Sequence, residues 1–492
     1  MKFIKKINFN HLFFFYINLI FLLAVFYLYQ KHQVGNDSTI SEWMINYQGG
    51  FTRRGLIGEV CFQLARIFEL ELRYVIFLFQ SILYFFFSIF LLAVFYLYQK
   101  HQVGNDSTIS EWIINYQGGF TRRGLIGEVC FQLAKILDLE LRYVIFLFQS
   151  ILYFIFSTLL LIYLRNFKIN WLIVFAIFSP LFILYPIAEI EVLARKEIFL
   201  YIGFIIFLLI SSVRYSRNLS LIYIFFVYPI LCLIWEPFIL FTFFSLFIII
   251  INNKKDTLNK LLKKSLLSFS TTIVVTMIII FKKFDLTQHQ LMAESLMLNF
   301  NEACYTSCAS LASRNTIYSQ FQSVFDLLTF EVIFRYSLIL LIGFLPLALL
   351  SFNSKIKNKI FFLPNNVLMI LLVLLSPCLI LFLSGTDWGR YVNICYVFSI
   401  LTFFYLFKNN FIKHNKSNKF IDNMFVKNKK KLIVFFILFA FTWNPKTGMT
   451  GDVATNSLYK VTYNTSKIIF KFEGVRLFQN SPIIKFHKKY IE

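Results

Sequence analysis

Two arginines stand side by side behind a pair of glycines in NYQGGFTRRGLIGE, a stretch written at residues 46–59 and again, unchanged, at 115–128. In the second copy Gly118 and Gly119 precede Arg122 and Arg123, and two carboxylates, Asp106 and Glu111, lie just upstream. A guanidinium stays charged at physiological pH, and its planar fork grips two oxygens of a phosphate or carboxylate at once. The glycines can supply a positive-φ turn. From Leu125 onward, apolar residues at 125, 126, 129, 130, 133, 136 and 137 approximate one face of a helix, which predicts an amphipathic helix in an interface plane. The arginine pair then sits at its entrance, where free N–H groups and the helix dipole favour an anion.

The same residue types recur at the ends of other apolar runs. EIEVLARKE (189–197) places Glu191 and Arg195 at i, i+4 spacing with Lys196 and Glu197 beside them,. Trp235-Glu236-Pro237 puts a carboxylate at a tight turn, and GTDWGRY (385–391) groups Asp387, Trp388 and Arg390. Together these residues can move a proton and hold a phosphate. Asp106 or Glu191 would be the base, and Arg122, Arg123, Arg195 and Arg390 the anion-binding set. Glu111, Gly118, Gly119, Lys196, Glu236, Asp387 and Trp388 would support them. The plainer alternative is a local ion pair at each helix junction, or lipid-phosphate anchoring by the arginine pair. His289 reads as an interfacial residue rather than a base. Cys304 and Cys308 are the only closely spaced cysteines; a regular helix holds such a pair too far apart for a disulfide, and a bent loop permits one. A metal or nucleotide cofactor has no motif support.

The elements that must position these groups are apolar helices. Of 492 residues, 58% are hydrophobic, 20% aromatic and 15% charged, and the apolar letters come in runs of about 16 to 25, close to the roughly 20 that cross a bilayer. A β-barrel would need alternating segments of about 10 residues. The fold class expected is therefore an all-α, polytopic integral membrane protein of about 11–12 transmembrane helices with external interfacial amphipathic helices. The net charge of +23 sits largely in lysine-rich loops, so it reads as topology, not as nucleic-acid binding. Those loops, at 252–265, 353–359 and 408–431, are expected inside. Ten crossings follow the second island, at about 143–164, 171–188, 198–213, 219–235, 238–251, 266–281, 336–352, 366–384, 392–407 and 432–443. Nearly all the chemistry-bearing motifs then fall on the external face, in segments 99–142, 189–197, 235–237, 282–335 and 385–391. A second amphipathic helix is expected over 286–300.

Residues 20–88 and 89–157 align without gaps at an offset of 69 and differ at five positions. A recent tandem duplication and a gene-assembly artefact both give this pattern. The unit carries one spanning helix, so its copies face opposite sides of a membrane. The chain accordingly divides into 1–88, a first helix (Leu12–Tyr29) with the duplicated unit; 89–443, the membrane domain; and 444–492, an external polar tail with β-prone runs.

A carboxylate-bearing first loop, an amphipathic helix directly after it and scattered basic and acidic groups at external helix ends resemble the polytopic glycosyltransferases of the GT-C class and the O-antigen polymerase and ligase group. Asp106, soon after a helix exit, matches the position of the first-loop acidic residue of GT-C enzymes, while no DxD motif accompanies it. The resemblance implies a multi-pass protein of a bacterial cytoplasmic membrane in surface-polysaccharide assembly. Its partners would be membrane lipid and a polyprenyl-phosphate-linked sugar used at the external face. A flippase of lipid-linked oligosaccharide and a non-catalytic envelope scaffold are the competing expectations.

Overall fold

In the computed structural model of the protein, the described residues are 97, 101, 108–164, 171–193, 195–213, 217–253, 257–282, 285–311, 317–357, 364–414 and 429–451. The first copy of the island, Asp106 and the β-prone runs after 451 lie outside them. The described residues belong to a single compact unit that includes Leu97–Val461.

The chain folds as helices in the expected order. α1 (Gly124–Leu137) is the amphipathic helix after the island, and α2 (Leu141–Leu164) follows it. The run at 171–188, expected as one crossing, is broken into α3 (Trp171–Ile177) and α4 (Leu184–Ala188), with α5 (Ile190–Leu193) behind them. Pro180 explains the break, because proline has no N–H to donate and disfavours helical geometry in the residue before it. Freed carbonyls are satisfied within the protein: Tyr396 Oη donates to the Ala176 carbonyl at 2.8 Å and Asn393 Nδ2 to the Leu181 carbonyl at 2.7 Å.

α6 (Ile198–Ser212) and α7 (Arg217–Ile234) come next, and a 3-10 turn at Glu236–Phe241 leads into α8 (Thr242–Asn252). α9 (Leu258–Phe281) precedes α10 (Leu286–Phe300), the second expected amphipathic helix, then α11 (Thr306–Ala309) and α12 (Ile317–Leu327). α10 starts cleanly because Asp285 and Gln288 form a reciprocal capping box,. α13 (Phe330–Phe352) begins earlier than the expected 336. The run at 366–384 is α14 (Val367–Leu375) and α15 (Leu379–Ser384), separated by a 3-10 turn at Pro377. α16 (Trp388–Lys408) and α17 (Lys429–Phe441) complete the helices. Two of the lysine-rich loops pair as a small antiparallel ladder, β1 (Ser354–Ile356) with β2 (Ile412–His414), the only sheet among the described residues.

Among the described residues, five segments are long and apolar enough to cross a membrane: Leu141–Leu164, Asn259–Phe281, Phe330–Phe352, Val367–Ser384 and Trp388–Lys408. Three shorter apolar helices accompany them. Burial separates two kinds. The best windows of the first four are only 28–33% buried, whereas that of α16 is 83% buried. α16 is thus the axis of the bundle, buried on all sides and wrapped by its neighbours,. The outer helices turn leucine, isoleucine and phenylalanine outward, among them Leu267, Phe281 and Leu341, the pattern of a surface whose solvent is hydrocarbon.

The first residues of the expected polar tail fold back onto the bundle. Asn444–Gly451 runs back over the start of α16: Gly389 N donates to the Thr447 carbonyl at 3.1 Å and Met449 N to the Thr386 carbonyl at 2.8 Å. A Cβ at Gly389 would lie 1.8 Å from the Lys446 carbonyl oxygen, so the approach requires glycine,.

Candidate functional site

The charged residues that the sequence scatters over nearly 280 positions converge at one end of the bundle, where α1, α6 and α16 begin and α7 ends. Glu111, 3% exposed, is the hub. It accepts Arg195 Nη1 at 2.7 Å and Arg390 Nη2 at 3.2 Å, and Arg123 Nη1 stands 3.7 Å away. Arg390 also pairs with Glu197, and with Asp387 Oδ2 at 3.1 Å, while its guanidinium carbon lies 5.9 Å from the centre of the Trp235 ring. Arg123 grips Glu236 with two parallel bonds of 2.8 and 2.9 Å. Arg122 approaches the same carboxylate at 3.8 Å and keeps 44% of its side chain exposed. Lys196, fully buried, donates to the Arg123 carbonyl at 2.7 Å.

Local sequence explains how these groups are aimed. Gly119 takes φ 114° and Arg123 φ 64°, so the island turns twice through left-handed backbone before α1 starts,. A Cβ at Gly118 would fall 1.8 Å from the Gln288 carbonyl oxygen, which lets the island lie against α10. Glu128 ties the loop to α1 by accepting from Tyr116 N and Gln117 Nε2, each at 2.8 Å. The left-handed Arg123 is unusual for a long side chain; Lys196 fixes its carbonyl and Glu236 its guanidinium.

Five cations (Arg122, Arg123, Arg195, Lys196 and Arg390) face four carboxylates (Glu111, Glu197, Glu236 and Asp387), an excess of one positive charge. Burial pushes the Glu111 carboxyl up, but Arg195, Arg390 and Arg123 outweigh it and hold the group well below the usual carboxylate range. Glu197 is also buried, and Arg390 offsets its burial only in part, so its carboxyl is raised. Glu236 is lowered, since Arg123 and Arg122 overcome its burial. Burial brings the Lys196 ammonium down to about 8. Glu111 Oε2, Glu197 Oε2 and Arg195 Nε are buried with no hydrogen-bond partner among the described residues. The cluster thus combines a carboxylate held low by its arginines, a second raised by burial, and buried polar atoms without hydrogen-bond partners among the described residues,.

Arg122, Arg123, Arg195, Lys196, Arg390, Glu111, Glu236 and Asp387 therefore meet in one place, although most of the arginines are engaged by carboxylates rather than left open to an anion. Arg195, expected at i, i+4 spacing from Glu191 on one helix, lies beyond the end of that helix. α5 carries Glu191 but ends at Leu193, and the Arg195 guanidinium goes to Glu111. Trp388 lies beside the cluster as packing, its ring N–H on the Phe382 carbonyl at 2.8 Å and its ring edge-on to Tyr336. Glu197 and Trp235 are central here, yet in the sequence they look like a neighbour of Arg195 and an ordinary interfacial tryptophan. Cys304 and Cys308 are joined as a disulfide. Cys304 precedes the short α11 in non-helical chain, which removes the spacing a regular helix would impose,. His289 adjoins them, its Nε2 3.2 Å from Cys304 Sγ.

Comparison with family models, with curated proteins and with solved structures finds no match for this chain.

Proposed function

We propose that the protein is a multi-pass membrane glycosyltransferase or polysaccharide polymerase that takes a sugar from a polyprenyl-phosphate carrier at the external face. The observation that carries this reading is the convergence of five cations on four carboxylates, with an excess positive charge and unpaired buried polar atoms. Transfer breaks the bond between the sugar's anomeric carbon and the carrier phosphate oxygen, so negative charge grows on the phosphate while the acceptor hydroxyl loses a proton. Arg122, exposed at the rim, meets the phosphate first, with Arg123 behind it. Asp106 or Glu191 takes the acceptor's proton; Asp387, whose side chain is 33% exposed beside Arg390, is the cluster carboxylate most open to a substrate. About 11 crossings with α1 and α10 in the outer interface would place all of this at the headgroup level.

The test uses the full chain in lipid vesicles with a radiolabelled polyprenyl-phosphate sugar. Release of the carrier phosphate by wild type, and its loss in Arg122→Ala and Asp106→Ala chains that still insert and accumulate, is the expected result; unchanged release in both would sink the proposal. One observation favours a transporter of lipid-linked sugar instead, namely the broken segment between α3 and α4, since transporters build sites at interrupted helices,. Movement of intact labelled lipid across the vesicle with no bond cleavage would decide for that reading.

A further inference from the structure

A second group of chemically capable side chains lies apart from the charged cluster. His289 projects from α10, Cys304 stands in the chain after it, and Cys308, fully buried, is on α11. A ring nitrogen of His289 and the two sulfurs all lie within 4.8 Å of one another. The two separations that matter for His289 are 3.2 Å from its Nε2 to Cys304 Sγ and 3.3 Å to the Cys308 carbonyl. The flanks are pinned: Arg142 pairs with Glu302 and donates to Tyr305 Oη at 3.0 Å. Between the cysteines, Ser307 Oγ accepts from Arg195 Nη1 at 3.3 Å and lies 3.2 Å from Ser110 Oγ, beside Glu111. The turn is thus preformed whether or not its sulfurs are joined.

We propose that His289, Cys304 and Cys308 are a redox-gated site for a thiophilic divalent ion of the Zn2+ class. With the sulfurs bonded to each other, neither has a thiolate to offer and the site is closed. Two-electron reduction by a dithiol or a phosphine converts the disulfide to two thiols. Zn2+ then binds both as thiolates, their protons passing to solvent, together with the neutral Nε2 of His289. Tetrahedral zinc, with Zn–S of about 2.3 Å and Zn–N of about 2.0 to 2.1 Å, spaces its ligand atoms by about 3.5 to 3.8 Å. The nitrogen is already near that distance, so only the sulfurs must part, and Cys304 can turn because no helix holds it. The half-buried Cys304 and His289 leave a fourth position open to water.

The test uses the full chain, purified metal-free in detergent, reduced with a trialkylphosphine that becomes the phosphine oxide, desalted and titrated with Zn2+. Wild type should retain a single tightly held zinc per chain after reduction and none without it. Cys304→Ser and His289→Gln should each weaken retention about a hundredfold or more. Cys61 and the buried Cys130, Cys232, Cys378 and Cys395 remain in every variant and set the background. His289→Gln keeps the disulfide, so it serves even where the cysteine variant fails to fold. Equal zinc in reduced wild type and His289→Gln, or equal zinc with and without reduction, overturns the proposal.

Discussion

The two ends of the bundle solve one problem differently. At the end where α16 finishes, helices are joined by neutral groups: Tyr405 Oη lies 2.9 Å from both the Ser211 carbonyl oxygen and Asn252 Oδ1, with its one proton for either, and Asn409 Nδ2 reaches Ser212 Oγ at 3.4 Å. Lys408 Nζ donates to the Tyr163 carbonyl at 2.8 Å, and Lys355 and Lys413 are exposed. At the opposite end the same helices α6 and α16 carry buried arginines and glutamates. Neutral hydrogen bonds evidently suffice to stitch helix ends, so the charges exceed what packing demands. Burying an ion costs several kcal/mol unless it is well compensated, and retaining so many at one end points to work done there.

The comparison can be broken most forcefully at Arg390. Arg390→Leu leaves Glu111 and Glu197 buried without their shared cation and should cost about 3 to 5 kcal/mol, seen as a lower unfolding midpoint and reduced accumulation. Removing Glu197 as well, in Arg390→Leu/Glu197→Leu, should recover part of that loss, because the orphaned carboxylate goes with it. Arg123→Lys comes next. It keeps the charge but loses the two-pronged grip on Glu236, so stability should fall by about 1 to 2 kcal/mol while sugar release falls further.

Lys196 gives a smaller, pH-dependent effect. Between pH 8 and the ordinary lysine value of 10.5, the unfolded chain holds a proton that the folded chain has released. Stability therefore rises across that window, and the cost of burying the ammonium is fully present below it. Denaturation curves across the window should show this rise in wild type and a flatter profile in Lys196→Met. The smallest effect is expected at the other end: Tyr405→Phe should cost about 0.5 to 1.5 kcal/mol and leave sugar release at the wild-type level. A large activity loss there would erase the distinction between the ends.

Much of this architecture was legible because apolar runs and charged interruptions contrast sharply. α1 and α10 follow from their periodicity, and each apolar run after the island appears as helix. The membership of the cluster was legible for the same reason: Arg122, Arg123, Arg195 and Arg390 are conspicuous in a chain only 15% charged. The pairing was not, since which carboxylate meets which guanidinium depends on packing between segments as distant as 111 and 390. Glu191 illustrates this; its spacing to Arg195 matches a helix that ends too soon. Hydropathy windows also average over Pro180 and Pro377, and so miss both breaks. The return of Asn444–Gly451 onto α16 was not legible, because its bonds to the start of that helix are made by backbone groups and its side-chain bonds come from residues as distant as Glu189 and Arg335.

The central position of α16 has a consequence for how the protein is made. Ribosomes deliver Glu111, Arg123, Arg195, Glu197 and Glu236 long before Arg390, and the strap at 444–451 later still. Until then Glu197 lacks its cation and the outer helices have no axis to wrap. Assembly of the charged end is therefore a late event, completed only once Arg390 and the strap have been made, and a product truncated before Arg390 would display unpaired charge to the membrane's quality-control proteases.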